Sequence, residues 1–182
     1  MRIGCKQCNG HYVIREGTYG VFGGCSNYPK FKSTIKLYEF VQELLRIQGV
    51  NIYKWDKACW KCNKVTPVYS YYLSKQLADL EGFPADCFGT IGLGDILSID
   101  ELLEKDIPTI RKRYSKTVGY SYTANSCVHC GAIQGRNYVV DDPHEILHEL
   151  WYGGMEKYFF KTIKPEINAA ITKDLKEIFA TS

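Results

Sequence analysis

The stretch "ACWKCNK", residues 58–64, sets Cys59 and Cys62 three positions apart. The spacing returns in "NSCVHCGAIQG", residues 125–135, with Cys127 and Cys130. A C-x-x-C turn holds two thiolates on one tight bend, ready to share a tetrahedral ion. A turn-forming or small residue follows each pair, Asn63 in one and Gly131 in the other. Two such knuckles supply four sulfurs and close the coordination sphere, which leaves no position for an activated water. The expected ion is therefore a structural zinc. It pins the ends of a 64-residue insert, and the cost of closing that loop grows only slowly with its length. A thioredoxin-like redox pair at "CWKC" needs a helix at the first cysteine, whereas "NKVTPVYSYY" after it reads as extended. A mixed site using His129 is the other alternative; inside a knuckle that ring usually points away from the metal.

The remaining cysteines extend the pattern. Cys5 and Cys8 form a third C-x-x-C pair, and Cys25 and Cys87 stand alone. Six of the eight cysteines in tight pairs speak for metal rather than a disulfide framework. Cys87, in "PADCFG", reads as a buried thiol, with a nucleophile as the alternative. The N-terminus has no apolar signal core and no segment reaches the length of a membrane helix. The expected compartment is cytoplasmic, where thiols stay reduced.

Charge is uneven along the 182 residues. Residues 1–54 carry a net charge of +5 and residues 55–182 a net −2, which sum to the +3 of the chain. A basic N-terminal third fits an acidic partner, nucleic acid above all, or a solvated face with none. Aromatic residues make up 14% and apolar residues 45%, enough for a sizeable core.

Residues 1–32 read as short strands: "YVIRE", a turn at "GTYG", and "VFGG" returning toward Cys25. "STIKLYEFVQELLRIQG" follows as a helix linking 33–50, capped by Ser33 or Thr34, with Leu37, Val41, Leu44 and Leu45 on one face. Residues 51–182 are expected to form an α+β domain with the split cysteine knuckles and C-terminal helices. Within it, "VTPVYSYYL" reads as an edge strand because of Pro67. "SIDELLEKD" reads as a helix with a Ser98–Glu101 capping box. "IRKRYSKT" reads as a solvated loop or a phosphate contact. "QGRNYVVDD" contains a strand, "PHEILHELWYGG" is a helix, "YFFKTI" a strand and "PEINAAITKDLKEIFA" a helix. The fold class is α+β: a small N-terminal β module plus a zinc-pinned α+β domain.

The N-terminal pattern runs Cys5-x-x-Cys8, Gly10, then "YVIREGTYGVFGGCSNYP" with Arg15, Gly17, Gly20, Phe22, Gly24, Cys25, Ser26, Tyr28 and Pro29 in order. This resembles the four-cysteine zinc ribbons of bacterial type IA DNA topoisomerases, over residues 5–34. The departure is Phe31, which stands where those ribbons carry their fourth cysteine. The site has lost its metal and keeps its shape by packing, or it retains Cys5, Cys8 and Cys25 with His11, Cys87, water or a partner's group completing the shell. The resemblance implies DNA binding, often single-stranded. Tyr19, Phe22 and Tyr28 would stack on bases while Arg15, Lys30 and Lys32 meet phosphates; the alternative places Phe22 and Tyr28 in the ribbon's own core. Lys30, Lys32 and Lys36 also surround the helix start, whose free N–H groups favour an anion.

The expected function is a non-catalytic zinc protein that binds nucleic acid, single-stranded DNA above all. The alternative is an interaction module that recruits or inhibits a nucleic-acid-processing protein. A third reading comes from "HEILH": His144, Glu145 and His148 fit the H-E-x-x-H pattern of zinc peptidases, with Glu166 as a third ligand. Against it, the metzincin extension is absent and the helix reads equally well as amphipathic.

Overall fold

The computed structural model describes residues 2–84, 89–139 and 146–179. Helices and strands are mixed throughout, an α+β chain that divides into two units. Unit 1 comprises residues 1–50, 74–89 and 164–182, and unit 2 comprises residues 51–73 and 90–163. The helix expected to link two parts thus belongs with the N-terminal strands, and two later segments join them. Among the described residues no helix is long and apolar enough to cross a membrane.

Unit 1 is built on an antiparallel sheet of four strands in sequence order: β1 (Ile3–Gly4), β2 (His11–Gly17), β3 (Gly20–Cys25) and β4 (Thr34–Lys36). Gly20, at φ +102°, takes the left-handed turn between β2 and β3 that a side chain would resist. Period-two alternation sends Tyr12, Ile14 and Ile35 to one face, all buried, and Arg15, Phe22 and Lys36 to the other. Helix α1 (Leu37–Gln48) covers the buried face with Leu37, Phe40, Val41, Leu44 and Leu45. Gly23 lets it approach: a Cβ there would lie 2.8 Å from Ile35 Cγ1 and 3.0 Å from Phe40 Cδ2. Helix α6 (Ala169–Phe179) buries Ile171, Leu175 and Phe179 and packs along α1, where Gln42 donates to Thr172 at 2.6 Å. Thirty glycine-rich residues cannot enclose a core, so the two helices supply it.

The start of α1 differs from expectation. Ser33 and Thr34 do not cap it. Thr34–Lys36 pairs with β3 instead, and the Glu39 carboxylate accepts the Lys36 N–H at 2.9 Å. Pairing to a neighbouring strand outweighs a local capping preference. Ser33 turns inward and shares a 2.7 Å hydrogen bond with the Tyr12 hydroxyl. At α6 the cap is Asn168, whose side-chain oxygen accepts from Ala170 and Ile171.

Unit 2 holds two three-stranded sheets. One runs β10–β5–β6, with β5 (Val50–Ala58), β6 (Val65–Tyr71) and β10 (Phe159–Ile163). Pro67 sits on β6, an edge strand as its missing N–H requires. The other runs β7 (Ile110–Ser115), β8 (Tyr120–Ser126) and β9 (Ile133–Gln134). The basic segment expected as a loop is therefore strand β7, paired along its length with β8. The segment expected as a strand after Gly135 is a short helix, α4 (Arg136–Val139). Helix α2 (Leu73–Ala78) follows β6 and belongs, from Ser74 on, to unit 1; in unit 2, α3 (Leu97–Asp106) starts at Leu97 with Ile96 as its cap, so Ser98 lies inside its first turn. Helix α5 (Ile146–Tyr152) and a 3-10 turn (Met155–Tyr158) lead into β10. Trp55, Val68, Tyr72, Val139, Ile146 and Met155 form one buried cluster. Asp100 is also buried; it accepts from the Tyr71 hydroxyl at 3.0 Å and the Gly94 N–H at 3.1 Å.

Candidate metal centres and ribbon surface

The two knuckles of unit 2 are near copies of each other. The Asn63 N–H donates to Cys59 O at 2.9 Å, and the Gly131 N–H to Cys127 O at 2.9 Å. Asn63 and Gly131 both take left-handed backbone, φ +56° and +68°. That is why a residue tolerant of this region follows each pair. The turn aims backbone donors at sulfur: Lys61 N–H to Cys59 Sγ at 3.4 Å, His129 N–H to Cys127 Sγ at 3.4 Å. The buried Gln134 amide adds a third, to Cys59 Sγ at 3.3 Å.

The four sulfurs of Cys59, Cys62, Cys127 and Cys130 lie within 4.8 Å of one another. Across the pairs, Cys59 and Cys130 are 3.7 Å apart, as are Cys62 and Cys127. A tetrahedral zinc with Zn–S near 2.3 Å needs S···S of about 3.8 Å. The spacing is far beyond a disulfide's ~2 Å and matches an ion. Burial opposes ionisation of Cys59, but the N–H groups of Cys62 and Lys61 stabilise its thiolate and bring the thiol down to about 6. Zinc binds that ionised form. The His129 ring turns away, its Nε2 2.9 Å from Val65 O.

The ribbon brings together three sulfurs. Cys5, Cys8 and Cys25 also lie within 4.8 Å of one another, with Cys8 and Cys25 at 3.5 Å. Donors converge again: Gln7 N–H on Cys5, Gly10 N–H and the Asn27 amide on Cys8, Asn27 N–H on Cys25. The Gln7 N–H holds the Cys5 thiol down at about 7, whereas burial pushes Cys25 up to about 11. Among the described residues His11 does not join this group, and Cys87 lies outside them. Phe31 is half-buried, its N–H on Asn27 O at 3.2 Å. Both clusters are positioned to bind zinc.

Of the expected contact residues, Arg15 and Phe22 stand on the side of the ribbon sheet away from α1. Arg15 and Phe22 face each other across β2 and β3. The Arg15 guanidinium lies 5.8 Å from the centre of the Tyr28 ring, and its chain crosses Gly24, where a Cβ would meet Arg15 Cδ at 2.7 Å. A cleft of about 550 Å³ is lined by Arg15, Phe22, Tyr28, Phe31 and Lys32 among others. Tyr28 is 60% exposed, so it is no core residue; Phe22 is half-buried. Lys30 is exposed beside the Phe31 ring. Tyr19 sits apart, 100% exposed at the turn between β2 and β3.

Of the H-E-x-x-H pattern, His144 and Glu145 lie outside the described residues. His148 is exposed with its ring 4.7 Å from that of Tyr152.

Residues 2–39 match the family described as topoisomerase DNA binding C4 zinc finger. Over 30 residues, 16% of this chain, the sequence is 58% identical to a DNA topoisomerase 1 of Methanocaldococcus jannaschii. The matched part covers 4% of that protein's length. No solved structure matches the chain.

Proposed function

We propose that this chain is a zinc-dependent nucleic-acid-binding protein that holds single-stranded DNA against the outer face of its ribbon. Cys59, Cys62, Cys127 and Cys130 hold a structural zinc, and Cys5, Cys8 and Cys25 hold the ribbon's metal. The observation that carries the reading is the cleft lined by Arg15, Phe22, Tyr28 and Lys32, with Arg15 opposite Phe22 and 5.8 Å from the centre of the Tyr28 ring. Cation and exposed ring stand side by side, as a strand with alternating phosphates and bases requires. The topoisomerase family match at residues 2–39 supports the same ligand class. In this reading the four-sulfur centre is structural, since it has no open position for an activated water.

Fluorescence anisotropy with a labelled oligothymidylate tests this. Tyr28→Ala should weaken binding about 5- to 100-fold, the worth of one stacked base. Arg15→Gln should flatten the salt dependence by about 0.7 per lost phosphate contact. Tyr19→Ala and Lys30→Ala should weaken binding while leaving the fold intact. Affinity unchanged in all four variants would overturn the assignment of this face. Capture of a protein from extract that survives nuclease treatment, with no oligonucleotide binding, would favour an adaptor instead.

A further inference from the structure

Unit 2 carries a second surface of similar chemistry, outside the family match. A cleft of about 600 Å³ is lined by Trp60, Tyr114, Tyr120, Tyr122, Lys116 and Arg136 among others. Trp60 and Tyr120 are each 61% exposed, two large rings displayed at one depression. These rings are held in place. The Trp60 indole N–H donates to Ile133 O at 2.6 Å, and Trp60 itself stands inside the knuckle between Cys59 and Cys62. Tyr120 and Tyr122 project from the same side of β8, centroids 6.0 Å apart. Arg113 on β7 lies opposite Tyr122, on that same side.

The charge around the cleft is net positive. The β7–β8 hairpin, residues 110–126, contains Arg111, Lys112, Arg113 and Lys116 and no acid. Arg111 is spent on the carbonyls of Glu104, Ile107 and Ile110. Lys112, Arg113 and Lys116 enter no ion pair among the described residues. Asp95, the acid that lines the cleft, is neutralised by Arg136 and accepts the Gly92 N–H.

We infer that this cleft is a second single-strand site, where bases stack on Trp60 and Tyr120 and phosphates meet Lys116 and Arg113. Rigid exposed rings beside unpaired cations suit an alternating chain of bases and phosphates better than an apolar ligand. The inference rests on the reading that the chain binds single strands, but on different residues.

The test uses the full chain, wild type and with Tyr28→Ala, titrated with oligothymidylate. Indole fluorescence, quenched by stacking on Trp60, reports this cleft; Trp60→Phe identifies the signal. The expected result is quenching in both proteins, lost in Trp60→Phe. Tyr120→Ala should weaken binding about 5- to 100-fold in both, and Lys116→Ala should lower the salt slope. Tyr120 and Lys116 are solvent-facing, so their loss should leave the melting curve in place. Affinity and quenching unaltered by Tyr120→Ala and Lys116→Ala, while Tyr28→Ala still weakens binding, would overturn this cleft and leave the ribbon standing. The reverse pattern would overturn the ribbon and leave the cleft.

Discussion

Replacing Cys62 by serine removes one of four sulfurs from the unit 2 centre without touching its apolar cluster. The ion ties the turn at Cys59–Cys62 to the turn at Cys127–Cys130, with 64 residues between. Cross-linking a loop of that length restricts the unfolded chain by about 4 kcal/mol. For a unit of about 100 residues, 4 kcal/mol corresponds to a fall in Tm of roughly 15–30 °C. The assay is a thermal melt followed by circular dichroism, with zinc per chain measured on the same samples by mass spectrometry. Cys62→Ser and a strong chelator should each produce the fall, and zinc added back should restore the chelated wild type. A control, Cys8→Ser, touches the ribbon and should leave the unit 2 transition in place. Wild-type melting and wild-type zinc content in Cys62→Ser would refute the reasoning, because the loop would then be closed by something other than sulfur-bound metal.

Three further outcomes are expected. Gly23→Val would drive a side chain into Ile35 and Phe40 and should destabilise unit 1 by about 1–3 kcal/mol in urea unfolding; no change would mean α1 does not press on the sheet. Phe31→Cys restores the sulfur that the topoisomerase-type ribbon carries at this position, and should slow zinc loss to a competing dye; an unchanged rate would place the fourth ligand elsewhere. Burial pushes the Asp100 carboxyl up to about 7 from its ordinary 3.8. Between those values the folded chain keeps a proton that the unfolded chain has lost, so stability should fall as pH rises from about 4 to about 7, by up to about 4 kcal/mol. Asp100→Asn should flatten that slope; a slope equal to wild type would show that another group produces it.

What the residues disclosed before folding was local. A C-x-x-C pair followed by Asn63 or Gly131 encodes its own turn, because spacing and left-handed backbone are properties of five consecutive residues. The ribbon was legible for the same reason: Gly20 and Gly24 stand where a turn and the Arg15 chain demand them. The sulfur clusters and the α+β class followed from these. Other features depend on distant partners. Thr34–Lys36 looks like a helix cap until β3 offers it a hydrogen-bonding edge. Arg111–Ser115 looks like a loop because its side chains are charged, yet pairing with β8 makes it a strand. Tyr138 and Val139 suggest a strand by propensity, and packing of Val139 into the Trp55 cluster makes them helical. That residues 164–182 join the ribbon's unit is not written in any short window. The exposure of Trp60 is equally silent in sequence, since a tryptophan between two cysteines reads as readily as a core residue.

The salt dependence of binding by the intact, zinc-loaded chain tests the central claim most directly. Affinity for oligothymidylate, measured by anisotropy between about 50 and 200 mM salt, should fall with a log–log slope of about −2 if Arg15, Lys30 and Lys32 each meet a phosphate. Participation of Arg113 and Lys116 should steepen it to about −3.5. Absence of saturable binding at the lowest salt, or a slope near zero, would contradict the account.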